Sequence, residues 1–332
     1  MRQVLILSRP QDGHVSPVLE EIKARGARAY CLHTADFPEK ATFTSILSQA
    51  AGGWIGSLIS DDQTIPLQEL TSIWRRRPKR YVASNAYAPG IKAFIEEAER
   101  ALLGVLESQT LQGTFWVSQT HAVRRADLKA LQLAMARHLG FQVPRTLMTN
   151  SPQEAEAFYH QCHGNIILKA VSRGAIENEE QQMSHFLYTS QVERAHFAHI
   201  EGVRVTAHLF QERIEKTCDV RIVVIGRQVF AARMHSLQGG QACLDFRQQY
   251  ANLTYEVHTL PEVIREKVLE LVRSFDLQFA SMDCLITSQD EYVFLDLNPN
   301  GQFLWLQYRL GSRLPLKEAM ADLLVYPEEY RL

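Results

Sequence analysis

The chain has few cysteines and no charge of one sign to dispose of. Five cysteines, Cys31, Cys162, Cys218, Cys243 and Cys284, lie scattered in 332 residues with no CxxC spacing. That pattern fits reduced thiols and a cytoplasmic location better than a disulfide framework. There is no 18-residue apolar run, so no membrane span is expected. The apolar start at Val4 to Leu7 meets Ser8-Arg9-Pro10 at once and is too short for a signal peptide. With 35 Lys and Arg against 37 Asp and Glu, the formal charge of -2 offers no general attraction to nucleic acid or anionic membrane. Walker A, GxGxxG and GxSxG patterns are all missing, which disfavours P-loop, Rossmann and hydrolase-elbow chemistry. Internal repeats and low-complexity linkers are missing too. What remains is 46% hydrophobic residues in a chain long enough for about two domains.

Periodicity places the elements. Val4 to Leu7, an amphipathic stretch from Val15 to Arg25 stopped by Gly26, and Ala29 to Leu32 form a βαβ opening. Short alternating segments with turns at Gly52-Gly53 and Asp61-Asp62 suggest added strands up to Ile73. Helical spacing runs from Ile91 to Leu111 and again from about Arg125 to His138, ending at Gly140. Val143 to Thr146 reads as a strand, Ser151-Pro152 opens a helix, and Ile166 to Ala170 is a strand. The remainder through Asn298 is strand-rich apart from a helix at Pro261 to Phe275, and a last helix covers Leu316 to Leu324. Compact boundaries fall near residues 115 and 200, giving units 1–115, 116–200 and 201–332 in a mixed α/β, α+β chain.

The densest chemistry lies in Ser281-Met-Asp-Cys-Leu-Ile-Thr287 and Tyr292-Val-Phe-Leu-Asp-Leu-Asn298. Read as a hairpin with Thr287 opposite Tyr292, they set Asp283 against Asp296. One face then carries Met282, Cys284, Ile286, Val293, Leu295 and Leu297; the other carries Ser281, Asp283, Leu285, Phe294, Asp296 and Asn298. Carboxylates facing each other across a sheet repel, unless a hard cation such as Mg²⁺ sits between them.

Other candidates are single features. Asp219 and Arg221 share a face of a hairpin turning at Gly226-Arg227, where they could form an ion pair. Lys169 ends an apolar run, where an ammonium is costly unless it meets an anion such as phosphate. Trp74-Arg-Arg-Arg-Pro-Lys-Arg-Tyr81 packs Arg75, Arg76, Arg77, Lys79 and Arg80 between two aromatics, either as a solubilising loop or as a collector of an acidic ligand. His160/His163 and His196/His199 have spacings open to a transition metal but no second pair of ligands.

In chain order these pieces resemble an ATP-grasp ligase of the graspetide (microviridin) maturase family, which is related to RimK-type ligases. The motifs are a helix with Lys129, Gly140-Phe-Gln-Val-Pro-Arg-Thr146, Ile-Leu-Lys169, Phe210-Gln-Glu-Arg-Ile214, Asp219-Val-Arg221 and Phe294-Leu-Asp-Leu-Asn-Pro-Asn-Gly-Gln302 followed by Phe303-Leu-Trp305. Ile73-Trp-Arg-Arg-Arg-Pro78 resembles the family's first domain. The resemblance implies an ATP-grasp fold behind an amino-terminal βαβ pre-ATP-grasp domain, with 1–115 as that domain, 116–200 as the central subdomain and 201–332 as the carboxy-terminal subdomain with the Mg²⁺ site.

It further implies that Lys129 and Lys169 contact ATP, that Gln211, Glu212 and Ile214 lie beside adenine, and that Asp283, Asp296 and Asn298 hold Mg²⁺. Arg221, helped by Arg247, would face the transferred phosphoryl group, and Arg75 to Arg80 would help capture substrate. The implied substrate is a ribosomal precursor peptide, leader plus acidic core, whose Asp or Glu side chains are joined to Ser, Thr or Lys as esters or amides. A homodimer acting on neither nucleic acid nor membrane is implied as well. Two departures stand out: Asp296 replaces the family's usual glutamate, and His235 stands where RimK-type ligases place a second arginine. Alternatives are a RimK-like ligase adding an amino acid to a protein tail or small acid, and a nucleotide- or leader-peptide-binding regulatory protein.

Overall fold

All six residues of β1 (Gln3–Ser8) are buried, the mark of a strand covered on both faces. It runs through α1 (Val15–Ala24) to β2 (Arg28–His33), which pairs with it in parallel. Gly26, at φ 73°, ends the helix as expected. β3 (Ala41–Ser48), β4 (Gly53–Ser60) and β5 (Gln63–Pro66) form a separate antiparallel sheet, after which β6 (Ser72–Arg75) returns to lie beside β1. α2 (Pro89–Glu96), α3 (Ala98–Ser108) and β7 (Phe115–Val117) follow, completing a parallel sheet of order β2-β1-β6-β7. The expected helix from Ile91 is therefore two, divided at Glu97. This computed structural model describes residues 1–61, 63–84, 86–172, 175–178, 183–186, 188–236 and 253–332.

The next expected helix is also divided. α4 (Thr120–Ala126) and α5 (Lys129–His138) are separated by Leu128, whose extended backbone makes Lys129 the first residue of α5. β8 (Thr146–Thr149) starts where the expected strand was to end. α6 (Pro152–Gln161) is capped by the Ser151 hydroxyl, which accepts from Glu154 N. β9 (Ile166–Lys169), β10 (Ala175–Asn178), β11 (Met183–Phe186), β12 (Ser190–Gln191) and β13 (His208–Glu212) follow, with a 3₁₀ segment at Arg194–Val205 that the strand-rich reading did not anticipate. The central sheet is antiparallel, order β12-β9-β13-β8.

β14 (Cys218–Ile225), β15 (Gln228–Ser236), β16 (Leu253–Val257), α7 (Glu262–Ser274), β17 (Phe279–Ile286), β18 (Tyr292–Asn298), α8 (Leu304–Leu310), α9 (Leu316–Val325) and α10 (Pro327–Tyr330) make up the last third. Its sheet has the order β16-β15-β14-β17-β18. The β14–β15 turn needs Gly226, at φ 53°, where an added Cβ would lie 1.9 Å from Tyr330 O. One face of this sheet, with Val220, Ile222, Met282, Cys284 and Phe294, packs on Val268, Val272 and Phe275 of the α7 region. The other face, with Val223, Ile225 and Phe279, joins α8 and α9 in one core with Val4, Ile6 and Trp74 of the first sheet. The first and last thirds of the chain are thus fused through a shared apolar interior. Among the described residues no helix is long and apolar enough to cross a membrane.

Candidate active site

Asp283 does face Asp296, though by a different route from the expected one. Ile286, not Thr287, pairs with Tyr292, and the register slips by one between Asp283 and Cys284. The bulge absorbs the offset and reverses the alternation beyond it, so Phe294 is fully buried in the core face while Leu295 is only half-buried. Asp283, Asp296, Ser281 and Asn298 keep the shared face that the pairing requires.

Each of these acids meets a different cation. Arg221, opposite Asp283 on β14, donates from Nη1 to both its oxygens at 2.7 and 2.8 Å. Lys129, at the start of α5, brings Nζ to 3.6 Å from Asp296 Oδ1. Asp219 is on the Arg221 face but is bound by Lys216 at 2.8 and 2.6 Å, so the suspected Asp219–Arg221 ion pair is replaced by two different ones. The outer edge of β18 is closed by Gln132 of α5, which accepts from Leu297 N and donates to Leu297 O at 3.0 and 2.7 Å. A helix side chain thereby stands in for a neighbouring strand and fixes the Lys129 end of the site.

Beyond Asn298 the chain turns back on itself. Asn298 Oδ1 accepts from Asn300 N at 3.0 Å and Asn298 O from Gly301 N at 3.2 Å. Gly301 is seated directly on β17: a Cβ there would lie 2.4 Å from Ser281 Cβ and 3.2 Å from Arg221 Nη2. Arg221 Nη2 also donates to Gln302 O at 3.0 Å.

The run from Arg75 to Arg80, read as a solubilising loop or a collector of an acidic ligand, is exposed only in part. Arg76 is completely buried, sharing the strand parity of Trp74, and Arg77 is half-buried with its Nε donating to Asn300 O. Lys79 and Arg80 are exposed, and Arg75 is half-buried. Burial pushes Arg76 down to about 9, with Asp12 acting in the opposite sense, so the guanidinium keeps its charge at neutrality. Burial would raise the Asp12 carboxyl, yet the His14 hydrogen bond and the Arg76 charge together hold it well below the carboxylate range. His14 is pushed down, chiefly by burial, against the hydrogen bond to Asp12. Its Nε2 accepts from Phe303 N at 3.1 Å, which requires the neutral ring with the proton on Nδ1 toward Asp12.

The proposed nucleotide residues lie on the central sheet. Lys169 pairs with Leu209 and Ile167 with Gln211, so Lys169 and Gln211 share one face. Gln211 is buried, donates to Thr146 Oγ1 at 3.1 Å, and leaves its Oε1 without a hydrogen-bond partner. Glu212, on the opposite face, and Ile214, past the strand end, are half-buried. His235 lies on the sheet face opposite Arg221, 3.2 Å from Glu256 Oε1. Arg247 lies outside the described residues. Among the described residues no cluster of three or more His, Cys, Asp or Glu could hold a metal alone, and His196 instead accepts Glu193 N as a helix cap. Sequence reasoning missed Asp12, His14 and Gln132; alternation of Trp74 with Arg76 was the available signal for the buried arginine.

An antiparallel sheet bearing paired carboxylates, preceded by a smaller antiparallel sheet with a half-buried lysine, is the arrangement of an ATP-grasp protein. The family model for the MvdD pre-ATP grasp domain matches residues 3–124, and that for the RimK-like ATP-grasp domain matches 125–317. The chain belongs to the RimK-like ATP-grasp family, with an MvdD-type pre-ATP-grasp domain in front. Among curated proteins none matches. Among solved structures, the macrocyclase MdnC from Microcystis aeruginosa MRC bound with precursor peptide MdnA is 27% identical, with a TM-score of 0.83 over 97% of this chain and 99% of that one. A Chryseobacterium gregarium RiPP-associated ATP-grasp ligase in complex with ADP and a leader and core peptide is 26% identical, with a TM-score of 0.86 over 98% and 96%. The macrocyclase MdnB from Microcystis aeruginosa MRC is 28% identical, with a TM-score of 0.80 over 98% and 100%.

Proposed function

We propose that the protein is an ATP-dependent ligase that activates Asp or Glu side chains of a ribosomal precursor peptide and joins them to Ser, Thr or Lys side chains of the same peptide. The observation that carries this reading is the Asp283–Asp296 pair with Asn298 and Arg221 on one sheet face. The likeness to peptide macrocyclases over nearly the whole chain supports the substrate class.

The residues present fit Mg²⁺ and ATP. Two carboxylates and a carboxamide offer hard oxygen donors, too few for a closed cage, which leaves positions for phosphate oxygens. When bound, the cation supplies neutralisation of phosphate charge. Asp283, Asp296 and Asn298 would hold it, while Lys169 and Lys129 meet phosphate and Gln211, Glu212 and Ile214 line the base. Condensation in water is uphill, so the substrate carboxylate first takes the γ-phosphoryl group of ATP, releasing ADP. The hydroxyl or amine then attacks the acyl carbon, expelling phosphate. Arg221 orients and neutralises the phosphoryl oxygens, a task of positioning and charge rather than covalent catalysis. Lys79 and Arg80 are the exposed cations suited to an acidic peptide.

In this division of labour 1–115 presents peptide, 116–200 grips nucleotide together with β13 and Ile214, and the rest of 201–332 carries the metal pair. A homodimer in the cytoplasm belongs to the same reading, with four free cysteines among the described residues in keeping with a reducing compartment. The test is mass spectrometry of an acidic, Ser- and Thr-rich peptide encoded beside the gene, incubated with enzyme, ATP and Mg²⁺. The peptide should lose one water per bond formed. A gained amino-acid residue would point to the RimK-like alternative, and nucleotide binding without any change in the peptide to a regulatory protein.

A further inference from the structure

The turn that presents Asn298 is held from outside the ATP-grasp fold. Its carbonyls face the first domain: Asn300 O accepts from Arg76 Nη1 at 2.9 Å and from Arg77 Nε at 3.1 Å, and Gly301 O from Arg76 Nη1 at 2.8 Å. Arg76 is in turn bound by Asp12, whose Oδ1 lies 3.4 Å from its Nε, and both side chains are almost wholly buried at 0% and 2% exposure. Asp12 accepts from His14 N and sits 3.1 Å from His14 Nδ1, and the far side of that ring accepts Phe303 N. Asp12, His14 and Arg76 therefore bracket both ends of the segment from Asn300 to Phe303. The guanidinium also lies over the Trp74 and Phe303 rings, 5.9 and 5.7 Å from their centroids.

Burying an ion pair is an expensive way to join two domains that already share an apolar core, since well-packed hydrophobic residues generally hold as well or better. What a fixed guanidinium fork adds is geometry, by pinning particular carbonyl oxygens. The pinned oxygens belong to the turn whose internal hydrogen bonds set the Asn298 side chain.

We propose that Asp12, His14 and Arg76 are positioning residues for the metal-binding turn, so that the first domain sets the affinity of the Mg²⁺–nucleotide site without touching either ligand. The inference rests on the reading of Asn298 as a metal ligand. Partners that orient ligands typically change metal affinity by about 10–100-fold when removed, while the ligands themselves stay in place.

The experiment uses the full chain and calorimetric titration with ADP at increasing Mg²⁺, with no precursor peptide, so that a failure of the ligase reading cannot be mistaken for a failure of the clamp. His14→Ala and Asp12→Asn should raise the Mg²⁺ concentration giving half of the metal-dependent gain in affinity by about tenfold. ADP affinity without Mg²⁺ should stay unchanged. His14→Gln offers an N–H to Asp12 and an oxygen to Phe303 N, and should restore most of the lost metal response. Equal weakening with and without Mg²⁺, an unchanged Mg²⁺ response in both variants, or a His14→Gln no better than His14→Ala would overturn the proposal. Circular dichroism and a melting curve accompany each variant, and His14→Ala, at a side chain still 12% exposed, is the one best able to keep the fold.

Discussion

Arg76 and Arg80 stand four residues apart in one basic run and have opposite fates. The Arg76 side chain is 0% exposed, with its charge met by Asp12 and by the carbonyls of Asn300 and Gly301, whereas the Arg80 side chain is 65% exposed and has an ion pair at 3.6 Å to Glu96. A cluster of cations in a sequence fixes the amount of charge but not its use. Use depends on where β6 ends and on which parity points inward. The half of the run next to the strand pins the turn after Asn298, and the half beyond Pro78 is left exposed to solvent.

The sharpest way to break this contrast is Arg76→Met, which strands Asp12 as an unpaired buried charge. It should cost about 3–5 kcal/mol by urea unfolding, the usual range for breaking a buried pair from one side. Arg80→Gln should leave the unfolding midpoint where it is. Next in size is Lys169→Met, which removes a charge-assisted phosphate contact from the other sheet and should weaken nucleotide binding by about 1.5–3 kcal/mol in calorimetry without altering the melting curve.

The clamp has an acid-sensitive member as well. Because the His14 pKa is lowered in the folded state from the ordinary 6.5, the unfolded chain takes up the proton first as pH falls. Stability should be full above about pH 6.5 and decline below it toward the lowered value. His14→Gln should flatten that part of the curve in denaturation measured across pH. Asp12 acts in a separate, more acidic window: its lowered pKa contributes stability above the ordinary 3.8 that is lost as pH drops below it. The smallest effect belongs to the exposed half of the run. Reversing Lys79 and Arg80 to glutamate should raise the peptide KM more than it lowers kcat, and the difference should fade in added salt.

Much of the site was legible because strands alternate and β-hairpins impose partners. Two acids at matched depth in Ser281–Thr287 and Tyr292–Asn298 could be set face to face from sequence alone. The bulge at Asp283/Cys284 could not, because an extra residue within the run Val293-Phe294-Leu295 leaves no local signature when all three are apolar; Phe294 and Leu295 therefore exchanged places. Helix breaks at Glu97 and Leu128 were hidden for a similar reason, since neither position carries Gly or Pro. The Asp12–His14–Arg76 cluster joins residues 64 and more than 200 positions from one another and from the turn they hold, and no periodicity reports contacts of that range. α8 escaped notice because the segment from Leu304 to Leu310 reads as an aromatic tail, and its burial comes from packing on the shared core.

The role of the carboxylate pair is tested most directly by mass spectrometry of the precursor peptide across a Mg²⁺ titration, with the native enzyme beside Asp283→Asn and Asp296→Asn. The native enzyme should expel water from the peptide in whole steps only when ATP and Mg²⁺ are both present, and each variant should leave the peptide mass unchanged while its circular dichroism matches the native protein. Full conversion by either variant at limiting Mg²⁺ would contradict the assignment of Asp283, Asp296 and Asn298 as the metal site.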